Sequence, residues 1–377
     1  MTGWHIITSE YAPDVGGVSD YTQQVAEALA QGGEEVHVWC PPTTQPRPVS
    51  CVHVHTELGR FRPFDLRRLA RALDSFHSPR RLLVQWVPHG YGYRSINLWF
   101  CLWLAGRALK GDVVELMVHE PFLELKRGPW RHVAIALVHR LMTIVLLRAA
   151  TRLWVAIPAW EGLLRPYAFG RSLRIDWLPI PACITSLREP AQSVREAYVD
   201  GARPLVGHFG SYGDAVSQLL AERLPGIMES SARPSLLLIG ARGEAFRAAL
   251  IERYPAWSAR VHATGYVDSV ELPGCLQACD LFLQPYPDGI TSRRTSAMAC
   301  LALGLPMVTT SGHLTEALWK TSGAVSLAHV SDPAAFSAAA TRLLQEPAER
   351  ARIGLGAASL YRERFTLTSV VMALKAA

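Results

Sequence analysis

The sequence predicts an α/β protein of two Rossmann-like domains, each built on a parallel sheet. Short β-rich runs alternate with longer helical patterns, the order that parallel βαβ units require. The alternation runs through the chain twice, and prolines 179, 181 and 190 mark the stretch between the passes. The length of 377 residues suits two domains at roughly 100–200 residues each.

In the first pass the strand candidates are residues 5–8, 35–40, 51–55, 82–87, 113–118, 153–155 and 174–178. Helical spacing predicts helices over 19–31, 64–76, 97–109, 130–149 and 159–167. In the first helix Val25, Ala28 and Leu29 share a face, and Gly32-Gly33 stops it. The second pass gives strands at 205–209, 236–239, 261–263, 281–284, 307–309 and 324–327. Its helices cover 215–228, 244–254, 271–278, 296–303, 333–344 and 348–364. Residues 184–202 hold few apolar side chains apart from Leu187, Val194 and Val199, and they form the linker candidate. The domain boundary therefore falls near 180–203, dividing the chain into 1–185 and 186–365.

Composition narrows the function classes. At 49% hydrophobic and 19% charged residues, extended disorder is excluded. A formal charge of +6 suits anionic partners such as nucleotide phosphates, and equally suits an arginine-rich solvated surface. The seven cysteines are scattered, mostly in apolar runs, without zinc-ligand spacing. They read as reduced thiols of a cytoplasmic protein. None of the 13 histidines has metal-ligand spacing, so no metal site is predicted. The N-terminus enters a strand with no basic n-region or long apolar h-region, which predicts no signal peptide. Of the two most apolar stretches, 96–105 is too short to span a bilayer, and 133–147 carries His139 and Arg140 in its middle.

Three loops at strand ends carry the chemistry. Tyr11-Ala12-Pro13-Asp14-Val15-Gly16-Gly17-Val18-Ser19 links the first strand to the first helix. Gly16 and Gly17 let backbone approach a ligand closely, and Ser19 or Asp20 is placed to cap the helix. Backbone N–H groups there suit a phosphate or carboxylate, although a plain turn accounts for the glycines as well. Gly210-Ser211-Tyr212-Gly213-Asp214 repeats the design after strand 205–209. The run Pro285-Tyr286-Pro287-Asp288-Gly289-Ile290-Thr291-Ser292-Arg293-Arg294-Thr295-Ser296 is the most specific of the three. Its two guanidiniums, hydroxyls and following helix N-terminus would converge on one anion, although an exposed basic turn accounts for the run as well. His119, ending strand 113–118, stands where open α/β sheets bind ligands and titrates near neutrality in an ordinary setting.

The first of these motifs resembles the opening of the family-four retaining glycosyltransferases. The resemblance continues in Val118-His119-Glu120-Pro121, Leu178-Pro179-Ile180-Pro181, Thr264-Gly265-Tyr266-Val267, the strand at 278–285 and Gly304-Leu305-Pro306-Met307-Val308. It implies the GT-B fold, with two Rossmann-like domains facing an interdomain cleft. The N-terminal domain would take the acceptor and the C-terminal domain the nucleotide-sugar donor. A last helix near 366–377 would pack back on the first domain. The resemblance further implies donor-sugar contact by His119, a nucleobase seat at Gly265, Tyr266 and Val267, and transfer with retention. The sequence departs from the family in two places. The Gly210 loop lacks the arginine and lysine that many members carry. The paired glutamates of the family fall on Thr291 and Ala299 without gaps, or on Asp288 and Ser296 with a shift, so neither register keeps both carboxylates.

The resulting expectation is a metal-independent transferase needing no cofactor beyond its nucleotide-sugar co-substrate. Arg293 and Arg294, with Gly16, Gly17, Gly210, Ser211 and Tyr212, would hold the diphosphate. Thr291, Ser292, Thr295 and Ser296 would add hydroxyls, and Asp288 and His119 would orient the sugar. The acceptor would be a sugar or lipid-linked hydroxyl. Trp99, Phe100, Trp103, Lys126, Arg127, Trp130, Arg131 and Arg148 interleave bases with aromatics. They are open to two readings, contact with the inner membrane face or ordinary helix burial. Other readings are a GT-B binding or scaffold module without turnover, or a sugar epimerase. A nicotinamide oxidoreductase is disfavoured by the missing GxGxxG, and a nucleic-acid binder by the dispersed arginines.

Overall fold

The computed structural model describes residues 3–14, 16–42, 51–56, 58–92, 95–125, 129–182, 184, 192–199 and 201–376. Val15, Lys126, Arg127, Leu187 and Pro190, all named above, lie outside the described residues. The chain divides into two compact units, Met1–Ile180 with Leu367–Ala377, and Pro181–Thr366.

The first unit holds strands β1 (Trp4–Ile7), β2 (Val36–Trp39), β3 (Val52–His55), β4 (Arg81–Trp86), β5 (Val113–Val118), β6 (Arg152–Val155) and β7 (Arg174–Trp177). They form one parallel sheet in the order β3-β2-β1-β4-β5-β6-β7. β1, β2 and β6 are buried along their whole length, as strands covered on both faces must be. One face of this sheet is unusual in carrying His5, His37 and His53 in register across β1, β2 and β3. Their rings stack at 5.1 and 4.9 Å, and Trp39 Nε1 donates to His5 Nδ1 at 3.2 Å.

The second unit holds β8 (Leu205–Phe209), β9 (Ser235–Ile239), β10 (Val261–Gly265), β11 (Leu281–Gln284), β12 (Met307–Ser311) and β13 (Ser326–His329). Its parallel sheet runs β10-β9-β8-β11-β12-β13. In both units the strand order reverses beside the first strand, between β1 and β4 and between β8 and β11. Those are the points at which doubly wound sheets open a crevice at their carboxyl edge. Each unit has its own core, one around Val25, Leu29, Leu83 and Trp154, the other around Leu224, Leu236, Phe336 and Leu343.

The C-terminal helix Leu367–Lys375 belongs to the first unit. Its buried Val370 and Leu374 join that core, Arg81 Nη2 donates to Leu374 O at 2.8 Å, and Lys375 Nζ lies 2.7 Å from Glu34. Two sequence expectations need correction. The linker candidate contains a short helix, Gln192–Glu196, because Arg195 is anchored by Asp280 at 2.9 Å and by Ala278 O. The first helix starts at Gly17, with no side-chain cap from Ser19 or Asp20. The helix Trp130–Ala149 is long and apolar enough to cross a membrane by length and composition. Its His139 is buried and shares hydrogen bonds with Leu123 N and Ser95 O, and its Arg140 donates to Leu123 O, so the helix is tied into its own unit.

Candidate functional site

In the first unit the site begins where β1 ends. The turn after β1 brings Glu10 back over the start of the helix Gly17–Gln31. Glu10 Oε1 accepts the backbone N–H groups of Val18 at 3.2 Å and Ser19 at 3.1 Å. The exposed partial charge of the helix N-terminus is thus already met by a carboxylate of the same chain. This corrects the expectation of an anion seat at Gly16 and Gly17 open to a phosphate. Gly16 has extended backbone, at φ −176°, so a left-handed turn does not require it. A Cβ there would lie 2.5 Å from Glu10 Oε1. Gly16 makes room for the carboxylate.

His119 follows β5 at the same carboxyl edge. Its ring Nε2 lies 2.9 Å from Gln85 Oε1, and the Tyr21 ring meets it edge-on at 5.1 Å. Trp160 Nε1 donates to His119 O at 3.0 Å, fixing the backbone behind it. Burial pushes the imidazole pKa down to about 3. His119 therefore stays neutral and serves as a hydrogen-bonding group, which corrects the expectation that it titrates near neutrality. With the ring neutral, an Nε2–H donates to the Gln85 oxygen and leaves Nδ1 as an acceptor. The buried Gln85 Nε2 and Tyr21 hydroxyl beside it have no hydrogen-bond partner. Gln85 is the penultimate residue of β4, just before Trp86, and no motif in the sequence pointed to it.

In the second unit the arginine loop follows β11. Asp288 joins both guanidiniums: Arg293 Nη2 donates to Oδ2 at 2.8 Å, and Arg294 Nη2 donates to Oδ1. The three side chains are 16–23% exposed, so they form a half-open cluster of net charge +1. Arg294 also lies over the Tyr286 ring at 4.7 Å, and the Tyr286 hydroxyl meets Ser296 Oγ at 2.8 Å. Asp288 thus enters as the partner of the arginines, where the sequence reading gave it the donor sugar. Arg294 is the N-cap of the helix Thr295–Ala302, at whose first turn Thr295 and Ser296 stand. Thr291 is fully buried and its hydroxyl has no hydrogen-bond partner.

The loop is held from below by a carboxylate the sequence did not flag. Glu316 Oε1 accepts both the backbone N–H of Ser292 at 2.9 Å and its hydroxyl at 2.6 Å, while Trp319 Nε1 donates to Oε2 at 2.7 Å. Gly289 closes the other side at φ +87°. A Cβ there would stand 2.3 Å from Gly312 N, so only glycine lets the arginine loop lie against the loop after β12.

The Gly210 turn is partly corrected. Tyr212 is buried in left-handed backbone, at φ +52°. Its hydroxyl donates to His208 O at 3.0 Å, so it braces the turn and offers no hydroxyl to a ligand. Ser211 is exposed beside it. Beneath the turn His208 is buried and pushed down to about 4. Its Nδ1–H donates to Leu283 O at 2.7 Å, leaving Nε2 an acceptor without a partner. Two strands away Gly265 ends β10 at φ +68° and bridges to Gly240, with Tyr266 67% exposed and Val267 half-buried. Among the described residues, no group of three or more His, Cys, Asp or Glu is placed to hold a metal ion.

Comparison with known proteins follows the second unit closely. Residues 203–346 match the family model described as glycosyl transferases group 1. No curated protein sequence matches the chain. Among solved structures, sucrose-phosphate synthase from Thermosynechococcus elongatus is similar at a TM-score of 0.73 and 17% identity, covering 99% of this chain and 97% of that one. Anabaena HepE in complex with UDP is similar at 0.71 and 14%, covering 99% and 98%. Trehalose 6-phosphate synthase from Burkholderia multivorans is similar at 0.68 and 16%, covering 100% and 96%. At these identities the likeness shows the fold: two Rossmann-like units of the GT-B class.

Proposed function

We propose that the protein is a retaining glycosyltransferase, because residues 203–346 match the glycosyl transferases group 1 model and the whole chain has the GT-B fold. It moves a sugar from a nucleoside-diphosphate donor to a hydroxyl of a sugar or lipid-linked acceptor. The observation that carries this reading is the Asp288–Arg293–Arg294 cluster at the end of β11, beside the reversal in strand order and inside the matched domain.

The chemistry asks for little beyond charge. As the glycosidic bond to the diphosphate breaks, negative charge grows on the leaving oxygen, and fixed guanidiniums stabilise it with little reorganisation. Asp288 holds the two guanidiniums side by side before the donor arrives. A diphosphate carries more charge than one carboxylate and is the stronger partner for the pair. In this scheme the arginines do the work that a divalent metal does elsewhere. They also stand in for the cations missing from the Gly210 loop. Neutral His119 offers a hydrogen bond to a sugar hydroxyl, and Gly265–Val267 offers backbone to the base. The UDP named in the HepE structure makes uridine the first base to try.

A thermal-shift series with nucleoside diphosphates and their sugars tests the reading, since a ligand well above its dissociation constant raises the melting temperature. A shift with a diphosphate that Arg293→Ala removes, together with sugar transfer, supports it. No shift with any nucleoside diphosphate overturns it. A shift without turnover favours the binding-module reading, which the ion pairing of Asp288 and the lack of the family's two glutamates also support.

A further inference from the structure

Two neighbouring helices of the first unit turn apolar faces outward. In Trp130–Ala149 the exposed positions recur at helical spacing: Trp130 at 74%, Leu137 at 55% and Leu141 at 48% exposed. In Leu98–Leu109, which packs against it, Trp99, Leu102 and Leu109 are 64, 46 and 90% exposed. The opposite faces are buried in the unit through Phe100, Cys101 and Leu104 on one helix and Ala136, Met142 and Leu146 on the other. A soluble helix normally presents polar residues on the side away from its core. These two present tryptophan and leucine.

The charge on these two helices has one sign. Residues 97–110 and 129–149 contain no Asp or Glu. Arg131 and Arg148 are exposed at the two ends of the longer helix, and Lys110 is exposed at the end of the shorter one. Arg131 also lies 5.7 Å from the Trp130 ring centroid. Apolar side chains bounded by cations, with a tryptophan near each helix start, match the depth profile of a bilayer interface with anionic headgroups. The longer helix does not match a span, because His139 and Arg140 bind it to Ser95, Leu123 and Tyr167 of its own unit.

We propose that this face docks on the surface of an anionic lipid bilayer, with the helices lying along the interface. Each helix runs back from the carboxyl end of one parallel strand to the amino end of the next. Both exposed tryptophans therefore lie at the edge of the sheet where His119 ends β5. Docking brings that edge to the headgroups, where a lipid-linked hydroxyl would be found. The docking does not depend on the transferase reading, and neither fails with the other.

Flotation of the full chain with vesicles tests it, using phosphatidylcholine alone against equal parts phosphatidylcholine and phosphatidylglycerol. At low salt the chain is expected to float with the anionic vesicles, about tenfold more than with the zwitterionic ones, and to release as salt rises. The double variants Leu137→Gln/Leu141→Gln and Arg131→Glu/Arg148→Glu should each lose about tenfold in partitioning. Both should keep the parent melting temperature and donor binding, because all four side chains face outward. Absence of flotation at low salt overturns the proposal, as does flotation that the substitutions leave unchanged. A dimer in light scattering that Leu137→Gln/Leu141→Gln dissolves would instead assign the face to a second copy of the chain.

Discussion

Glu10 reaches across the first loop and takes the backbone N–H of Ser19 at 3.1 Å, with that of Val18 beside it. A side chain of the chain itself therefore occupies the helix end that a glycine-rich loop makes attractive to phosphate. Such a cap contributes about 1 kcal/mol, in the range of other N-terminal caps. Glu10→Ala is expected to lower stability by that amount while changing the dissociation constant of a nucleoside diphosphate by less than about twofold, since the N–H groups are not the ligand's. Chemical denaturation and calorimetric titration check the two halves. A tenfold change in affinity in either direction would show that ligand and carboxylate share the seat.

The arginine pair makes the opposite prediction. Arg293→Ala and Arg294→Ala each remove a cation from the charge that develops on the leaving diphosphate, and should lower kcat about 10²–10³-fold. Asp288→Asn is a subtler test, because it removes the carboxylate that both guanidiniums share and loosens their placement. Diphosphate affinity should rise several-fold as the competing carboxylate goes, while kcat falls. That split between KM and kcat separates an arginine-positioning role for Asp288 from direct contact with the sugar, in which both parameters worsen together.

Buried histidines set the acid limit of the first unit. His5 and His119 are each pushed down to about 3 by burial, and His5 also feels His37 and His55. Above pH 6.5 the histidines are neutral in both folded and unfolded chains and leave stability independent of pH. As pH falls below 6.5 the unfolded chain takes up protons that the folded one refuses, so stability falls toward the folded pKa near 3. The slope is about 1.4 kcal/mol per pH unit for each group in that window. Melting curves between pH 7 and pH 4 should show it, and His119→Asn should reduce the slope by one proton. An unchanged slope in that variant would mean that His119 is protonated in the fold.

Periodicity made most of this architecture legible. Strands β5, β8 and β11 sit at the residues their apolar runs predict, because a buried parallel strand leaves a compact signal. The helix Trp130–Ala149 was equally plain. The candidate site was legible only in part. Arg293, Arg294 and Asp288 stand within six residues of one another, and short spacing is what a motif can show. Glu316 supports Ser292 from 24 residues away, and Gln85 meets His119 across 34. Only the pairing of β4 with β5 and of β11 with β12 brings them together. Tyr212 misled because a hydroxyl beside glycines reads as a ligand contact until its left-handed backbone turns the ring inward.

Two glycines on candidate loops should respond in opposite ways to one methyl group. Gly17 begins its helix, and a Cβ there meets nothing within 4 Å. Gly17→Ala should hold or raise stability by up to about 1 kcal/mol, since alanine narrows the unfolded ensemble and favours helix. Gly289 stands at φ +87° with Gly312 N 2.3 Å from the position a Cβ would take. Gly289→Ala meets both a strained backbone and a fixed neighbour, and should cost about 1–3 kcal/mol. The loop that carries Asp288, Arg293 and Arg294 would have to lift from the loop after β12, so diphosphate binding should weaken at least tenfold. Binding measured well below the melting temperature separates that loss from unfolding. Unchanged affinity in Gly289→Ala would show that the arginine pair does not need this loop geometry to hold a diphosphate.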